Sequence, residues 1–157
     1  MTEKLDKFVR ELQEAMLEGY SERLKNEFLN PENIGKIENA DSHVSVTGVC
    51  GDTVEIYLVI RDERISDIKF TTDGCGPTIA CVSYLTRTAR GKSVEEALQT
   101  KPEDIDKYFE GLPEENKHCA KLAVITLAAA IEKYLRKSNK QIDRARPKIS
   151  RRKHRAE

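Results

Sequence analysis

The chain has 157 residues, enough for one hydrophobic core and short for two, and 34% of them are charged. Its 27 basic and 27 acidic residues cancel unevenly: residues 138–157 hold eight Lys or Arg against Asp143 and Glu157, so this segment carries +6 and the rest −6. No apolar run approaches the ~20 residues of a membrane span, and the charged stretch TEKLDKFVREL lacks the apolar centre of a signal peptide, so a soluble cytoplasmic protein is expected.

Leu5, Phe8, Val9, Leu12, Met16, Tyr20, Leu24 and Phe28 recur every three or four residues and predict helix from about residue 4 to Leu29, with Gly19 as an interruption and Ser21 as an N-cap. Asn30-Pro31 ends it, because a residue before proline avoids helical geometry. Residues 33–41 read as loop. Strict alternation follows at Val44 and Val46, then Val54, Ile56, Leu58 and Ile60, then Ile68 and Phe70. This predicts three antiparallel strands with one buried face, the last two joined at Asp62-Glu63. Helical spacing returns at Ile79, Val82, Leu85, Thr86 and Ala89 and stops at Gly91. Ser93 and Glu96 form a capping-box pair for a short helix, and Pro102 opens another that ends near Gly111. Residues 114–137 predict a long helix with Cys119, Ala123, Leu127, Ile131 and Tyr134 on one stripe. The basic segment from 138 lacks a sustained apolar stripe and is predicted to be disordered; without interleaved aromatics it does not read as a nucleic-acid surface.

Four cysteines in a reducing compartment are thiols, metal ligands or reactive sulfur rather than disulfides. Their spacing matches no zinc-finger or ribbon pattern. Context says more. Cys50 in VCGD opens the second strand, where alternation would turn Cys50 and Asp52 to one side. Cys75 in DGCGPT stands at a helix N-terminus, and Cys119 follows His118 near the start of the last helix; both thiolates would be favoured by the helix dipole. Taken singly, a cysteine is more often a packing residue, and Cys119 does lie on an apolar stripe. Cys81, six residues and about 240° around the helix from Cys75, is expected to point away from any site.

From Tyr20 to Lys137 these motifs together resemble the iron–sulfur cluster assembly scaffold family, IscU and the N-terminal domain of NifU. YSERLKNEFLNPENIG matches the opening segment, VCGD, DGCGPTIA and HC the three ligand motifs in order, and RGKSVEEAL and GLPEENKHC also fit. The resemblance divides the chain into a helical extension (1–19), a scaffold domain (20–137) and the basic tail (138–157). It implies an α+β fold, a three-stranded antiparallel sheet packed by helices, carrying a [2Fe–2S] cluster. Cys50, Cys75 and Cys119 match its ligand cysteines, Asp52 its ligand aspartate and His118 an alternative fourth ligand. Cys119 also matches the acceptor of persulfide sulfur from a cysteine desulfurase, and Tyr20 a residue of dimer contacts and persulfide reduction. Implied partners are the desulfurase, an electron donor such as ferredoxin, apo iron–sulfur proteins and a second copy in a homodimer. The chaperone motif LPPVK reads here as Leu112, Pro113, Glu114, Glu115, Asn116, with lysine one place later at Lys117.

Two rival readings use the same residues. A zinc-bound sulfur acceptor resembling SufU would hold Zn²⁺ with Cys50, Asp52, Cys75 and Cys119, but such chains carry an added segment, and only 43 residues separate Cys75 from Cys119 here. A thiol hydrolase with Cys119 as nucleophile needs a base; adjacent helical residues point about 100° apart, which places His118 poorly.

Overall fold

The structure, a computed structural model, describes residues 2–16 and 18–145. In chain order they form α1 (Thr2–Met16), α2 (Glu22–Leu29), β1 (Ser42–Thr47), β2 (Thr53–Arg61), β3 (Arg64–Thr72), α3 (Gly76–Ala89), α4 (Val94–Leu98), α5 (Pro102–Tyr108), a 3-10 turn at Glu114–Asn116 and α6 (Lys117–Ala145). The architecture is α+β, with one antiparallel sheet in the order β1-β2-β3.

The N-terminal stripe is carried by two helices that differ in burial. Ser21 caps α2, its hydroxyl accepting from Leu24 N at 3.1 Å. On α2, Leu24 is buried and Phe28 packs against the core. On α1 the same periodicity leaves Leu5, Phe8, Val9 and Leu12 exposed. The pattern predicts a helix with a packed face in both places, and the described residues supply a packing partner only to α2.

Alternation holds through the sheet, and Val54, Ile56, Leu58, Ile68 and Phe70 are fully buried. Asp62 and Glu63 both take left-handed φ, 54° and 62°, the turn whose twist suits a two-residue hairpin. Beyond it the register slips: Val59 faces Asp67, but Ile60 faces Ile65, leaving Ser66 as the extra residue of a bulge. The bulge brings Ile65 into the core beside Ile68, which simple alternation misses.

Helices α6 and α3 cover the inner face of the sheet, α6 against β1 and β2 and α3 against β3. On α6 the buried positions include Cys119, Ala120, Leu122, Ala123, Leu127, Ala130 and Ile131. Each large aliphatic side chain buried this way contributes roughly 1.5–3 kcal/mol. The helix continues to Ala145, eight residues past the expected end at Lys137. The expectation of disorder is thus corrected for residues 138–145: neither glycine nor proline interrupts the chain before Pro147, so helix propagates. Residues 146–157 of that tail lie outside the described residues.

A buried carboxylate ties α2 to α3. Glu27 is only 7% exposed, yet the Ser83 hydroxyl donates to one of its oxygens at 2.6 Å and Arg87 Nη2 to the other at 2.6 Å. The bond to Glu27 holds the Arg87 guanidinium even more firmly protonated than usual. Arg87→Ala removes a charged partner from a buried carboxylate and should lower stability by about 2 kcal/mol. Arg64→Ala, which breaks an exposed 3.8 Å pair with Glu96 and an exposed 3.0 Å bond to Gly91 O, should cost less than about 1 kcal/mol. Urea midpoints of the two variants check this; equal shifts would contradict it.

Candidate functional site

Three segments meet at one end of the molecule: the loop between β1 and β2, the start of α3 and the start of α6. The loop is closed by Gly48 N donating to Asp52 O at 2.8 Å and Gly51 N to Gly48 O at 3.0 Å. Gly51 takes φ +91°, a conformation open to glycine at little cost. Because these residues are needed to turn the chain, β2 starts only at Thr53, and Cys50 and Asp52 lie in the loop rather than on the strand. The alternation expected to align them does not apply. Cys50 is exposed and takes part in none of the hydrogen bonds described below.

Asp52, Cys75 and Cys119 do come together, around a residue the sequence did not single out. Thr78 is fully buried, and its Oγ1 donates to Asp52 Oδ2 at 2.9 Å. The same oxygen lies 3.2 Å from Cys119 Sγ and 3.6 Å from Cys75 Sγ, while Cys75 Sγ is 4.0 Å from Asp52 Oδ2. Cys75 occupies the N-cap of α3 without capping it through sulfur, and Pro77 sits in the first turn. Thr78, three residues after Cys75, shares its helix face, and that spacing within DGCGPT was the available signal. The approach of loop to helix is close enough to require glycine at 74, where a Cβ would stand 2.8 Å from Thr78 Cγ2 and 2.9 Å from Asp52 Oδ2.

Cys119, in the first turn of α6, is fully buried. Burial pushes its thiol up to about 11, against the lowering effect of the Thr78 bond, with the Cys75 and Cys50 thiols adding to the rise. The expectation of a thiolate favoured by the helix terminus is overturned on magnitude. A helix end gives about 0.3–1 kcal/mol, under one pKa unit, whereas burial can move a pKa by several.

His118 Nε2 reaches within 3.7 Å of Cys119 Sγ, closer than backbone spacing suggested. Tyr20 also stands at this end: its hydroxyl donates to Asn116 Oδ1 at 3.2 Å. Its phenol is pushed up by burial first, then by Cys75, Glu115 and Cys119. Cys81 is fully buried in the core, with its thiol raised well above the usual range by burial, and forms none of these contacts.

Among the described residues no three His, Cys, Asp or Glu side chains close on a single metal position. The donors are adjacent without forming a finished cage. As a set, thiols with one carboxylate and one imidazole suit zinc or an iron–sulfur cluster.

A family model for the NifU-like N-terminal domain matches residues 19–141. The chain belongs to the NifU-like N-terminal domain family. It is 44% identical over 122 residues to iron–sulfur cluster assembly scaffold protein IscU 1 of Archaeoglobus fulgidus, covering 77% of this chain and 80% of that one. With the scaffold protein IscU of Escherichia coli K12 it is 38% identical over 120 residues, covering 73% and 93%. A solved NifU-like N-terminal structure from Brucella abortus aligns with TM-score 0.66 at 23% identity, covering 74% of this chain and 94% of that one. A structure described as a SUF-system scaffold, from Fervidobacterium islandicum, aligns with TM-score 0.62 at 24% identity, covering 71% and 96%. At such identities the two structures speak for the fold alone. The span matched by the NifU-like family includes all the site residues and leaves α1 outside it. No described helix is long and apolar enough to cross a membrane.

Burial separates the four thiols into pairs, Cys50 and Cys75 exposed and Cys81 and Cys119 buried. A neutral thiol reagent under reducing-agent-free anaerobic conditions should therefore label two cysteines rapidly in the native protein and four in denaturant. Peptide mapping that finds Cys119 among the fast pair would contradict the burial of this site.

Proposed function

We propose that the chain is a scaffold on which a [2Fe–2S] cluster is assembled and from which it passes to apo-proteins. The observation carrying this reading is the meeting of Asp52, Cys75 and Cys119 around one hydroxyl, within a chain of this family. The cluster is cargo. Cys50, Cys75 and Cys119 supply thiolates, and Asp52 supplies a harder oxygen donor, with His118 the alternative fourth ligand. Cys50 enters from the exposed loop.

Sulfur arrives at Cys119. The Cys119 thiol attacks the outer sulfur of a persulfide on a cysteine desulfurase and gives up its proton to the departing sulfur; the S–S bond there breaks, the desulfurase leaves as a thiol, and a persulfide remains on Cys119. That exchange is redox-neutral. Two electrons from a donor such as ferredoxin then reduce the transferred sulfur to sulfide. Tyr20, whose hydroxyl donates to Asn116 Oδ1 at this end of the molecule, would assist reduction of the persulfide and take part in contacts with a second copy. The protein works in the cytoplasm, where its thiols stay reduced.

Anaerobic isolation followed by metal analysis tests the reading. Iron with sulfide-to-iron charge-transfer absorption is expected; stoichiometric zinc without sulfide would favour the SufU-like zinc acceptor instead. Cys50→Ser, Cys75→Ser and Cys119→Ser should each abolish cluster formation, and Cys81→Ala should assemble at near wild-type yield. Loss in all four variants would remove the distinction between ligand and core cysteines.

Asp52 is the one oxygen ligand in a thiolate-rich site and the weakest corner for iron. An acceptor thiol enters most easily there. Asp52→Ala should assemble cluster but hand it to an apo-ferredoxin several-fold more slowly, as followed anaerobically by circular dichroism of the cluster bands. Faster transfer would mean that Asp52 stabilises the bound cluster.

A further inference from the structure

We propose that Thr78 is a positioning residue that fixes Asp52 as a metal ligand through its hydroxyl; this rests on the ligand set of the proposed scaffold. Thr78 is the third residue of α3, a place where a side chain ordinarily turns back to the N-cap. Its hydroxyl makes no bond to the N-cap backbone and approaches that residue only at the Cys75 sulfur, at 3.6 Å. It reaches out of the helix to Asp52 Oδ2 at 2.9 Å and to Cys119 Sγ at 3.2 Å, so its polar contacts belong to the donor set.

The hydroxyl has one proton to give, and a carboxylate is the stronger acceptor, so the bond to Asp52 takes it. Only Oδ2 is engaged in this way; among the described residues Oδ1 makes no hydrogen bond and stays free to coordinate. This is the arrangement in which an outer hydrogen bond orients a ligating carboxylate. The constraint matters more here than in a ligand carried on a strand, because Asp52 sits at the end of a glycine-containing loop. The need for glycine at 74 belongs to the same device, since a side chain there would drive Thr78 and Asp52 apart.

Zinc ion is the probe, titrated into the apo full-length chain in competition with a chromophoric chelator under anaerobic conditions. Thr78→Val keeps the shape and removes the hydroxyl; its zinc affinity should fall roughly ten- to a hundred-fold. Thr78→Ser restores the hydroxyl and should bind within about twofold of wild type. In an Asp52→Ala background, Thr78→Val should cause no further loss, because the residue acts through the missing carboxylate. Wild-type affinity in Thr78→Val overturns the assignment, and so does an undiminished loss in the Asp52→Ala background. If Thr78→Val does not fold, Thr78→Ala is measured against the same expectations. A wild-type protein that takes up no zinc overturns the ligand set itself, a failure distinct from that of Thr78 alone.

Discussion

A 29-residue helix can lie close against a three-stranded sheet only if its contact face is narrow, and α6 achieves this with alanines at 120, 123 and 130 set among Leu122, Leu127 and Ile131. The small residues let the helix approach, and the larger ones fill the space between strands. The fit extends to the loop between β1 and β2: at Gly48 a Cβ would stand 3.1 Å from Leu122 Cδ2. The loop bearing Cys50 and Asp52 is thereby set beside the first turn of α6, which bears Cys119. Because α3 packs on both α6 and β3, its own N-terminus, with Cys75 and Thr78, arrives at the same end. The site is thus a by-product of where two helices must start if their apolar faces are to be buried.

Much of this was legible because burial writes its period into the chain. Strands β2 and β3 and helix α6 each bury one face, and their apolar spacing shows it, while α3 is buried on most of its surface. The capping box at Ser93 and Glu96 is present as read, since both partners lie within one turn. Ile65 was not legible: its burial depends on Ser66 dropping out of register, and a bulge leaves no periodic trace. The end of α6 was misjudged for a related reason. Loss of an apolar stripe ends packing, but it does not end a helix that meets no breaker. In α1 the error runs the other way, a stripe being present where the described chain supplies little to cover it.

At the site, the motifs located Asp52, Cys75, His118 and Cys119, whose chemistry is distinctive enough to be noticed. Threonine has no such signature. Beyond its spacing from Cys75, Thr78 became visible through its distant partners, Asp52 being 26 residues away and Cys119 being 41. The charge state of Cys119 was likewise hidden, because a helix terminus is a local feature and burial is a global one. Position along a helix suggested a thiolate; enclosure by the fold decided for the thiol.

The accessibility of the donors follows an order that bears on the chemistry. Cys50 and Cys75 face solvent, and Cys119, the residue assigned to receive sulfur, is enclosed. A donor outside the protein can meet such a thiol only when something local opens, and openings are drawn from segments that give up few contacts. Helices α3 and α6 are committed to the core and would expose apolar surface on moving. The loop from Gly48 to Asp52 is closed by two backbone bonds, and Val49 at its tip is 97% exposed, so little burial is lost when it shifts. Its movement would part Asp52 from the Thr78 hydroxyl while both helices stay packed, so the carboxylate is the one of these groups that can shift at little cost.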